Sequence, residues 1–243
     1  MKIRRAIKKF LLGTGIILFG LFAFYTGASA ATIESSLGNT NPGFSDGDIL
    51  PASTVGGAQA GQPIPFDQGY GTEGVLFGAT NFNVNWTHSL AVITDTIIGA
   101  SISFGIWDHD TSATGSQLES FTVEGTALTT QLDGLFEAGG GSLDSEYNVY
   151  SIDLGSELFS DLSDGTVNIG LALQGLGLTY ALFPSPGIIE TSTNGASLIF
   201  STLTIETRDS QPPPIPEPAS LLLTMFGLCV MAFFNRRGHR QGS

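Results

Sequence analysis

Apolar residues alternate with polar or small ones in several stretches of this chain of 243 residues. Between residues 98 and 106 every second residue is apolar, and residues 81–86 alternate three asparagines with Phe82, Val84 and Trp86. A period of two is the spacing of a β-strand that turns one face to a core and the other to water. Both stretches therefore predict strands.

Weaker patterns of the same kind follow along the chain and are separated by turn signals such as Asn194-Gly195. They predict strands over residues 119–123, 147–154, 167–174 and 196–207. Residues 31–70, rich in Gly, Pro, Asn and Asp, predict loops with one or two short strands, and residues 128–137 and 156–162 suit short helical turns. Many short strands without long helices between them predict an all-β fold, an antiparallel β-sandwich of the jelly-roll type.

The N-terminus has the three parts of a secretory signal. Five cations stand in the first ten residues, an apolar run covers residues 11–25, and Ala28 and Ala30 form the small-residue pattern that a signal peptidase accepts. We expect residues 1–30 to be a helical signal peptide cleaved before Ala31, with the export translocon and signal peptidase as partners. An uncleaved anchor is the alternative.

Charge is distributed unevenly along the chain. Between residues 31 and 214 the only cation is Arg208, against 21 acidic side chains, which gives a formal charge of −20. Such a surface repels phosphate backbones and anionic lipid, so nucleic acid is excluded as a partner. The repulsion favours calcium as a stabilising ion. The single cysteine, Cys229, lies outside this region, so the region has neither thiol nor disulfide chemistry.

The C-terminus has three successive parts. Residues 210–218 are a proline-rich linker that ends in Pro216-Glu217-Pro218, residues 219–235 are an apolar stretch that predicts a transmembrane helix, and residues 236–243 are basic. The basic end is expected in the cytoplasm, with the helix in the inner membrane. An ordinary tail anchor with a proline-rich stalk is the alternative.

These three parts in this order resemble the PEP-CTERM sorting signal of exported proteins in Gram-negative bacteria. The resemblance covers about the last 28 residues. It implies an exosortase as partner and the cell surface or an exopolysaccharide matrix as destination, and it assigns no activity to the domain of residues 31–209.

One acidic loop has the spacing of a calcium site. With Asp108 as position 1, every coordinating position of the EF-hand pattern carries an oxygen-bearing side chain, and the predicted ligands include Asp108, Asp110, Ser112 and Glu119. Ala113 stands where that pattern has glycine, and the flanking segments predict strands. A solvated hairpin loop is the alternative.

Several aromatic residues of this region are candidates for stacking on a sugar ring. Trp107, Tyr147 and Tyr150 are the predicted ligand-binding residues, with core or edge packing as the alternative. The asparagines at positions 81, 83 and 85 suit either a polar binding strip or the wet face of a strand.

The chain has neither an H-E-x-x-H pair nor a phosphate-binding glycine loop followed by lysine. We therefore predict a non-catalytic surface or matrix protein that binds or scaffolds extracellular polysaccharide. Two alternatives stay open, a carbohydrate-active enzyme that uses Asp108, His109 or Asp110, and a purely structural protein stabilised by calcium.

Overall fold

The computed structural model describes residues 30–74, 78–139, 144–182, 186–209 and 225–226. Residues Ala30–Arg208 form one compact unit. The predicted signal peptide, apart from Ala30, and the linker with Pro216, Glu217 and Pro218 lie outside the described residues, as does nearly all of the predicted transmembrane segment. Within the described ranges, no helix is both long and apolar enough to cross a membrane.

Strands dominate the described part of the chain. They are β1 (Ala30–Gly38), β2 (Asp48–Ile49), β3 (Asn83–Ser89), β4 (Thr96–Trp107), β5 (Leu118–Val123), β6 (Thr126–Ala127), β7 (Glu146–Asp153), β8 (Thr166–Leu173), β9 (Leu178–Ala181), β10 (Gly187–Glu190) and β11 (Ser197–Arg208). The helices are α1 (Ala52–Gln59), α2 (Thr129–Gly139) and α3 (Phe159–Leu162), the last preceded by a 3-10 turn at Ser156–Leu158.

The strands form two larger sheets and one small hairpin. The five-stranded sheet has the order β1-β11-β4-β7-β2, the four-stranded sheet has the order β3-β8-β5-β6, and β9 pairs with β10. Every described pairing is antiparallel. The predicted all-β antiparallel fold is therefore confirmed.

One hydrophobic core lies between the inner faces of the two larger sheets. The alternation that predicted β4 places Ile102, Phe104 and Ile106 in this core, each fully buried. Phe121 of β5 comes from the opposite sheet, and its ring centre lies 5.8 Å from that of Phe104. Apolar faces of both sheets are thus removed from water together, which makes the architecture sandwich-like.

The longest strands in the five-stranded sheet are β4 and β11, and their register fixes which loops meet at each end. Thr96 pairs with Arg208, which in turn pairs with Ala30, so these three residues share one end of the sheet. At the other end Trp107 pairs with both Ser197 and Tyr147. The loop that follows Trp107 therefore lies at the end opposite to Ala30 and Arg208.

A second, smaller apolar cluster covers the outer face of the five-stranded sheet. Val55 of α1 packs there with Tyr147 and Ile199, and Phe44 meets the Tyr147 ring edge-on at 4.7 Å between ring centres. Gln59, at the end of α1, donates hydrogen bonds to the carbonyls of Gln68 and Leu198. These contacts hold α1 over the sheet although its sequence, with two glycines, has little helical preference.

Candidate metal centre

The loop after β4 is anchored by a buried histidine. The His109 ring packs edge-on against Phe136 of α2, 4.6 Å between ring centres, and its Nε2 lies 2.6 Å from the hydroxyl of Tyr150. The carbonyl of His109 accepts a hydrogen bond of 2.9 Å from the amide of Asn194. The loop is therefore fixed to the core at its middle residue, which sets the positions of the residues on either side.

Both neighbours of His109 are aspartates in an uncommon backbone conformation. Asp108 has φ 66° and Asp110 has φ 55°, in the left-handed region that few residues other than glycine adopt. Ser145, which contacts this loop, has φ 67°. Aspartate tolerates this region better than most residues, but three such residues within one site still cost free energy, about 1 kcal/mol or more each.

Hydrogen bonds from the backbone hold one oxygen of each aspartate. Asp108 Oδ1 accepts from the N–H of Ser145 at 2.6 Å, and Asp110 Oδ2 accepts from the N–H of Leu178 at 2.7 Å. The donors belong to segments just before β7 and at the start of β9. Three parts of the chain therefore meet at these two carboxylates.

A third carboxylate, that of Glu73, comes from a segment far away in the sequence. This segment is held by its neighbours in the loop before β11: the carbonyl of Gly74 accepts from the N–H of Ser192, and the carbonyl of Thr72 accepts from the hydroxyl of Thr193 at 2.7 Å. Glu73, Asp108 and Asp110 each present an oxygen, and these three oxygens all lie within 4.8 Å of one another.

Two buried oxygens of this cluster have no hydrogen-bond partner among the described residues. They are Oδ1 of Asp110, a residue that is 0% exposed, and Oε1 of Glu73. A proton shared between Glu73 and Asp110 would join the two groups, and without it both oxygens are left unsatisfied. An unsatisfied buried carboxylate oxygen is costly, so the geometry calls for a proton or a cation at this point.

Within the part of the chain that the structure describes, no Lys or Arg supplies that charge. Arg208 is the only Lys or Arg in the described ranges, and it lies at the opposite end of β11. Burial is the largest cause that raises the pKa of Asp108 to about 7, and the negative charge of Asp110 contributes in the same direction. Burial also raises the pKa values of Glu73, Asp110 and Asp144, and the charge of Asp144 adds to the repulsion on the other three.

Several carboxylates that resist ionisation side by side are typical of a site for a divalent cation, which replaces the missing positive charge. Calcium is a hard cation that takes six to eight oxygen ligands and accepts flexible geometry. Glu73, Asp108 and Asp110 would supply three carboxylates, with backbone carbonyls and water available for the remaining positions. The residues present therefore fit calcium better than a soft metal, which would prefer sulfur or imidazole.

The structure brings together two of the four predicted metal ligands. Asp108 and Asp110 belong to the cluster, whereas Ser112 and Glu119 are exposed and the carboxylate of Glu119 is not part of the cluster. Glu119 stands at a register shift in β5, and Ala113 is buried where a calcium loop of EF-hand type needs glycine. The EF-hand spacing was therefore the wrong guide to the ligand set.

The segment between Asp110 and β5 makes contacts of its own. The N–H of Ala113 donates to the carbonyl of Asp110, and Thr114 binds the carboxylate of Glu190 through both its N–H and its hydroxyl. Ser116 donates to the carboxylate of Asp133 in α2. These bonds direct the loop toward β10 and α2 and away from the carboxylate cluster.

The three aromatic residues predicted to bind sugar pack against other parts of the protein instead of forming an exposed platform. Tyr150 is 5% exposed because it faces the core, and Tyr147 is 1% exposed because α1 and Phe44 cover it. Trp107 is partly buried, and its indole N–H donates to the carbonyls of Leu50 and Ser145. These rings pack within the protein, which was the alternative interpretation.

Sequence reasoning missed Glu73 for a simple reason. The residue lies 35 positions before Asp108 in a segment without periodicity, and carboxylates are frequent in this acidic region. The available signal was indirect: Gly71 and Gly74 flank the position, and glycine there permits a close approach of backbone segments. Gly71 indeed has φ 73°, and a Cβ there would meet the backbone of Asn81 and Phe82 within 2.8 Å.

Comparison with known proteins identifies no family. No family model matches the chain, and no curated protein matches it. Among solved structures it is similar to dimeric latent PorU from Porphyromonas gingivalis, with 10% identity and a TM-score of 0.31 over 74% of this chain and 13% of the PorU chain. A similarity of this size shows neither fold nor function.

Proposed function

We propose that this chain is an exported, non-catalytic protein of the cell surface or extracellular matrix, whose acidic β-domain binds calcium and binds or scaffolds polysaccharide. The single observation that carries the calcium part is the cluster of Glu73, Asp108 and Asp110, with its partnerless buried oxygens. The signal sequence and the Pro-Glu-Pro tag at residues 216–218 support the destination and an exosortase as partner.

Export and calcium binding are consistent with each other. A domain with a formal charge of −20 and a cluster of buried carboxylates suits a medium in which divalent cations are abundant. Calcium bound at the cluster would also join the loop after β4 to the segment of Glu73, which are distant in sequence. Binding would therefore stabilise the folded state, because the unfolded chain offers no such site.

The strand order supports a jelly-roll assignment within the sandwich. Apart from β2, the five-stranded sheet has the order β1-β11-β4-β7 and the other sheet β3-β8-β5-β6. If these eight strands are counted from one to eight along the chain, the orders become 1-8-3-6 and 2-7-4-5, those of two Greek keys wound together. Jelly rolls occur in lectin domains, among others, and the fold by itself assigns no ligand.

The burial of two potential catalytic side chains in the loop after β4 favours binding over catalysis. His109 and Asp110 are each 0% exposed, so neither can reach a polymeric substrate as the residues now stand. An acid with a raised pKa, such as Asp108, would suit glycoside hydrolysis, and that reaction is the competing candidate. Incubation of the purified protein with any polysaccharide that it binds, followed by analysis for shortened products, separates the two.

Calcium binding is tested by thermal unfolding of the full-length chain in EDTA and in millimolar calcium. We expect calcium to raise the midpoint by several degrees, and Glu73→Gln to reduce that shift strongly because it removes a cluster ligand. Glu119→Gln is the matched control, since it removes the same charge from an exposed strand position outside the cluster. Equal midpoints with and without calcium, or equal effects of the two variants, would exclude the site.

The sorting proposal has its own test. Mass spectrometry of the protein recovered from its own cells gives the mass of its C-terminal peptide. We expect a terminus near Pro218, and an intact Arg240 would contradict processing by an exosortase.

A further inference from the structure

The outer face of the four-stranded sheet carries polar side chains that are almost all uncharged. The exposed or half-exposed strand residues on this face include Asn83, Asn85, Thr87, Thr122, Thr166 and Asn168. Charged residues make up roughly a quarter to a third of an ordinary protein surface. In a domain with 21 acidic residues, a neutral face of amides and hydroxyls is an exception that requires an explanation.

This face contains a depression whose floor is a glycine in the central strand. Asn85 of β3, Gly170 of β8 and Thr122 of β5 lie side by side in register, and the depression has a volume of about 170 Å³. A Cβ at residue 170 would lie 2.8 Å from Oδ1 of Asn85 and 2.9 Å from Oγ1 of Thr122. The two polar groups therefore converge over a position without a side chain.

Glycine inside a strand weakens it by about 0.5–1 kcal/mol relative to alanine, and it often marks a place where a ligand approaches the backbone. Gly170 has no positive φ that would require glycine, so its role is to leave space. The space above Gly170 holds the polar ends of Asn85 and Thr122, but neither side chain forms a hydrogen bond within the described residues. Packing of these two side chains therefore does not by itself explain the glycine. Their donors and acceptors are available to a ligand.

At one end of the depression two lining side chains are hydrogen-bonded to each other. Asn168 lies two residues before Gly170 on β8, on the same face of the sheet. Its Oδ1 accepts a hydrogen bond of 2.9 Å from the hydroxyl of Thr87. The carboxylate of Glu124 accepts from the backbone N–H of Asn168. One oxygen of Glu124 is thereby bound to the backbone, and the side-chain N–H groups of Asn168 remain available to donate outward.

We infer that this depression, formed by Asn85, Thr122, Asn168 and Gly170, binds an uncharged polysaccharide chain. Amides and hydroxyls that alternate as donors and acceptors match sugar hydroxyls, and the absence of cations excludes strong recognition of uronate or sulfate groups. The charge of −20 repels anionic polymers as well. This inference rests on the proposed function and names both the class of polysaccharide and the place where it binds.

Three variants test the inference by separate means. Asn85→Ala and Thr122→Val each remove polar groups above the floor, whereas Gly170→Ala retains them and fills the space between them. Ser89→Ala is the matched control, because Ser89 is an exposed residue on the same face at the end of β3 and does not line the depression. Thermal unfolding of each variant identifies any that is not folded.

The measurement is binding of the full-length chain to neutral gluco-, manno- and galacto-oligosaccharides and to a uronic acid oligosaccharide, in EDTA and in calcium. We expect binding to a neutral oligosaccharide in both buffers, a loss of about tenfold in affinity for each of the three variants, and none for Ser89→Ala. Because the depression lacks acidic ligands, EDTA should not weaken this binding.

Other outcomes overturn the inference in distinguishable ways. Neutral sugar binding that all three variants retain would refute the depression as the site but leave polysaccharide binding intact. Binding of the uronic acid oligosaccharide alone, or self-association that the variants abolish, would refute the uncharged ligand. Absence of binding to every oligosaccharide would refute both the inference and the polysaccharide part of the proposed function, while the calcium test is decided separately.

Discussion

The imidazole Nε2 of His88 lies 2.9 Å from the hydroxyl of Ser201, and this contact joins the two sheets across the core. His88 belongs to β3 of the four-stranded sheet and Ser201 to β11 of the five-stranded sheet. The other ring nitrogen lies 3.1 Å from the hydroxyl of Ser35 in β1. Two hydroxyls and one ring thus form a polar bridge in which His88 and Ser201 are fully buried, and both ring nitrogens have a partner.

Acid should destabilise the protein through His88. Burial lowers its pKa from 6.5 to about 4, so the folded state keeps the ring neutral while the unfolded state takes up a proton below pH 6.5. The stabilisation is complete above pH 6.5 and is lost as the pH falls toward 4, by up to about 3 kcal/mol. Unfolding by urea at pH 7 and at pH 4.5 measures it, and His88→Gln should show a smaller loss over this range. An equal loss in both proteins would mean that other groups cause the acid sensitivity.

Asp144→Asn should have opposite effects with and without calcium. The charge of Asp144 acts on Glu73, Asp108 and Asp110, so its removal relieves repulsion in the calcium-free protein and weakens attraction for the ion. Each effect is at most about 1 kcal/mol and is reduced by salt, because Asp144 is only partly buried. Thermal unfolding in EDTA and calorimetric titration with calcium measure the two effects. A change of the same sign in both would show that Asp144 does not act through the cluster.

Gly105→Ala should destabilise the five-stranded sheet. A Cβ at this position would collide with the hydroxyl oxygen of Tyr147 and would lie 2.7 Å from the ring of Phe200. Overpacking of this kind costs about 1–3 kcal/mol. In α2, Gly134 has open space around it, so Gly134→Ala should leave stability unchanged or raise it by about 0.5–1 kcal/mol. Urea unfolding of both variants provides the comparison, and equal stabilities would show that the Gly105 site can expand.

Tyr150→Phe should destabilise the anchor of the carboxylate loop. The substitution removes the partner of His109 Nε2, and Nδ1 of the same ring already has none among the described residues. A buried imidazole without partners costs about 1–3 kcal/mol. Tyr180→Phe is the control, because Tyr180 is 57% exposed. Loss of its hydroxyl group should change the free energy of unfolding by less than about 0.5 kcal/mol. If the two variants unfold at the same urea concentration, the Tyr150 hydroxyl contributes nothing measurable.

The regular strands were predictable because their own side chains determine them. Strands β4 and β3 begin and end within about three residues of the apolar alternation, and β11 lies within one residue of its predicted bounds. The sequence predicts mainly loop in the region of β1, because most residues of this strand are exposed and its position is fixed by pairing with β11 along its whole length. Helix α1 and the hairpin of β9 and β10 were also missed, because packing and pairing with distant residues determine them.

The carboxylate site was half predictable for a related reason. Asp108 and Asp110 are close in sequence, so a local pattern revealed them, whereas Glu73 joins them only because the segments before β3 and after β4 meet at one end of the sandwich. Local spacing also suggested Ser112 and Glu119, which the path of the chain carries elsewhere. A ligand set drawn from two distant segments leaves no local pattern to read.

The register of β4 with β11 gives the domain two distinct poles. Ala30 and Arg208 pair directly at one pole, while Asp108 follows the last residue of β4 at the other, a distance of about 35 Å for a strand of twelve residues. Any attachment through residues before 30 or after 208 would hold the domain by the first pole. The carboxylate cluster would then lie at the opposite pole, separated from the chain ends of the domain by the length of a strand, so that substitutions in the cluster would leave those ends unchanged.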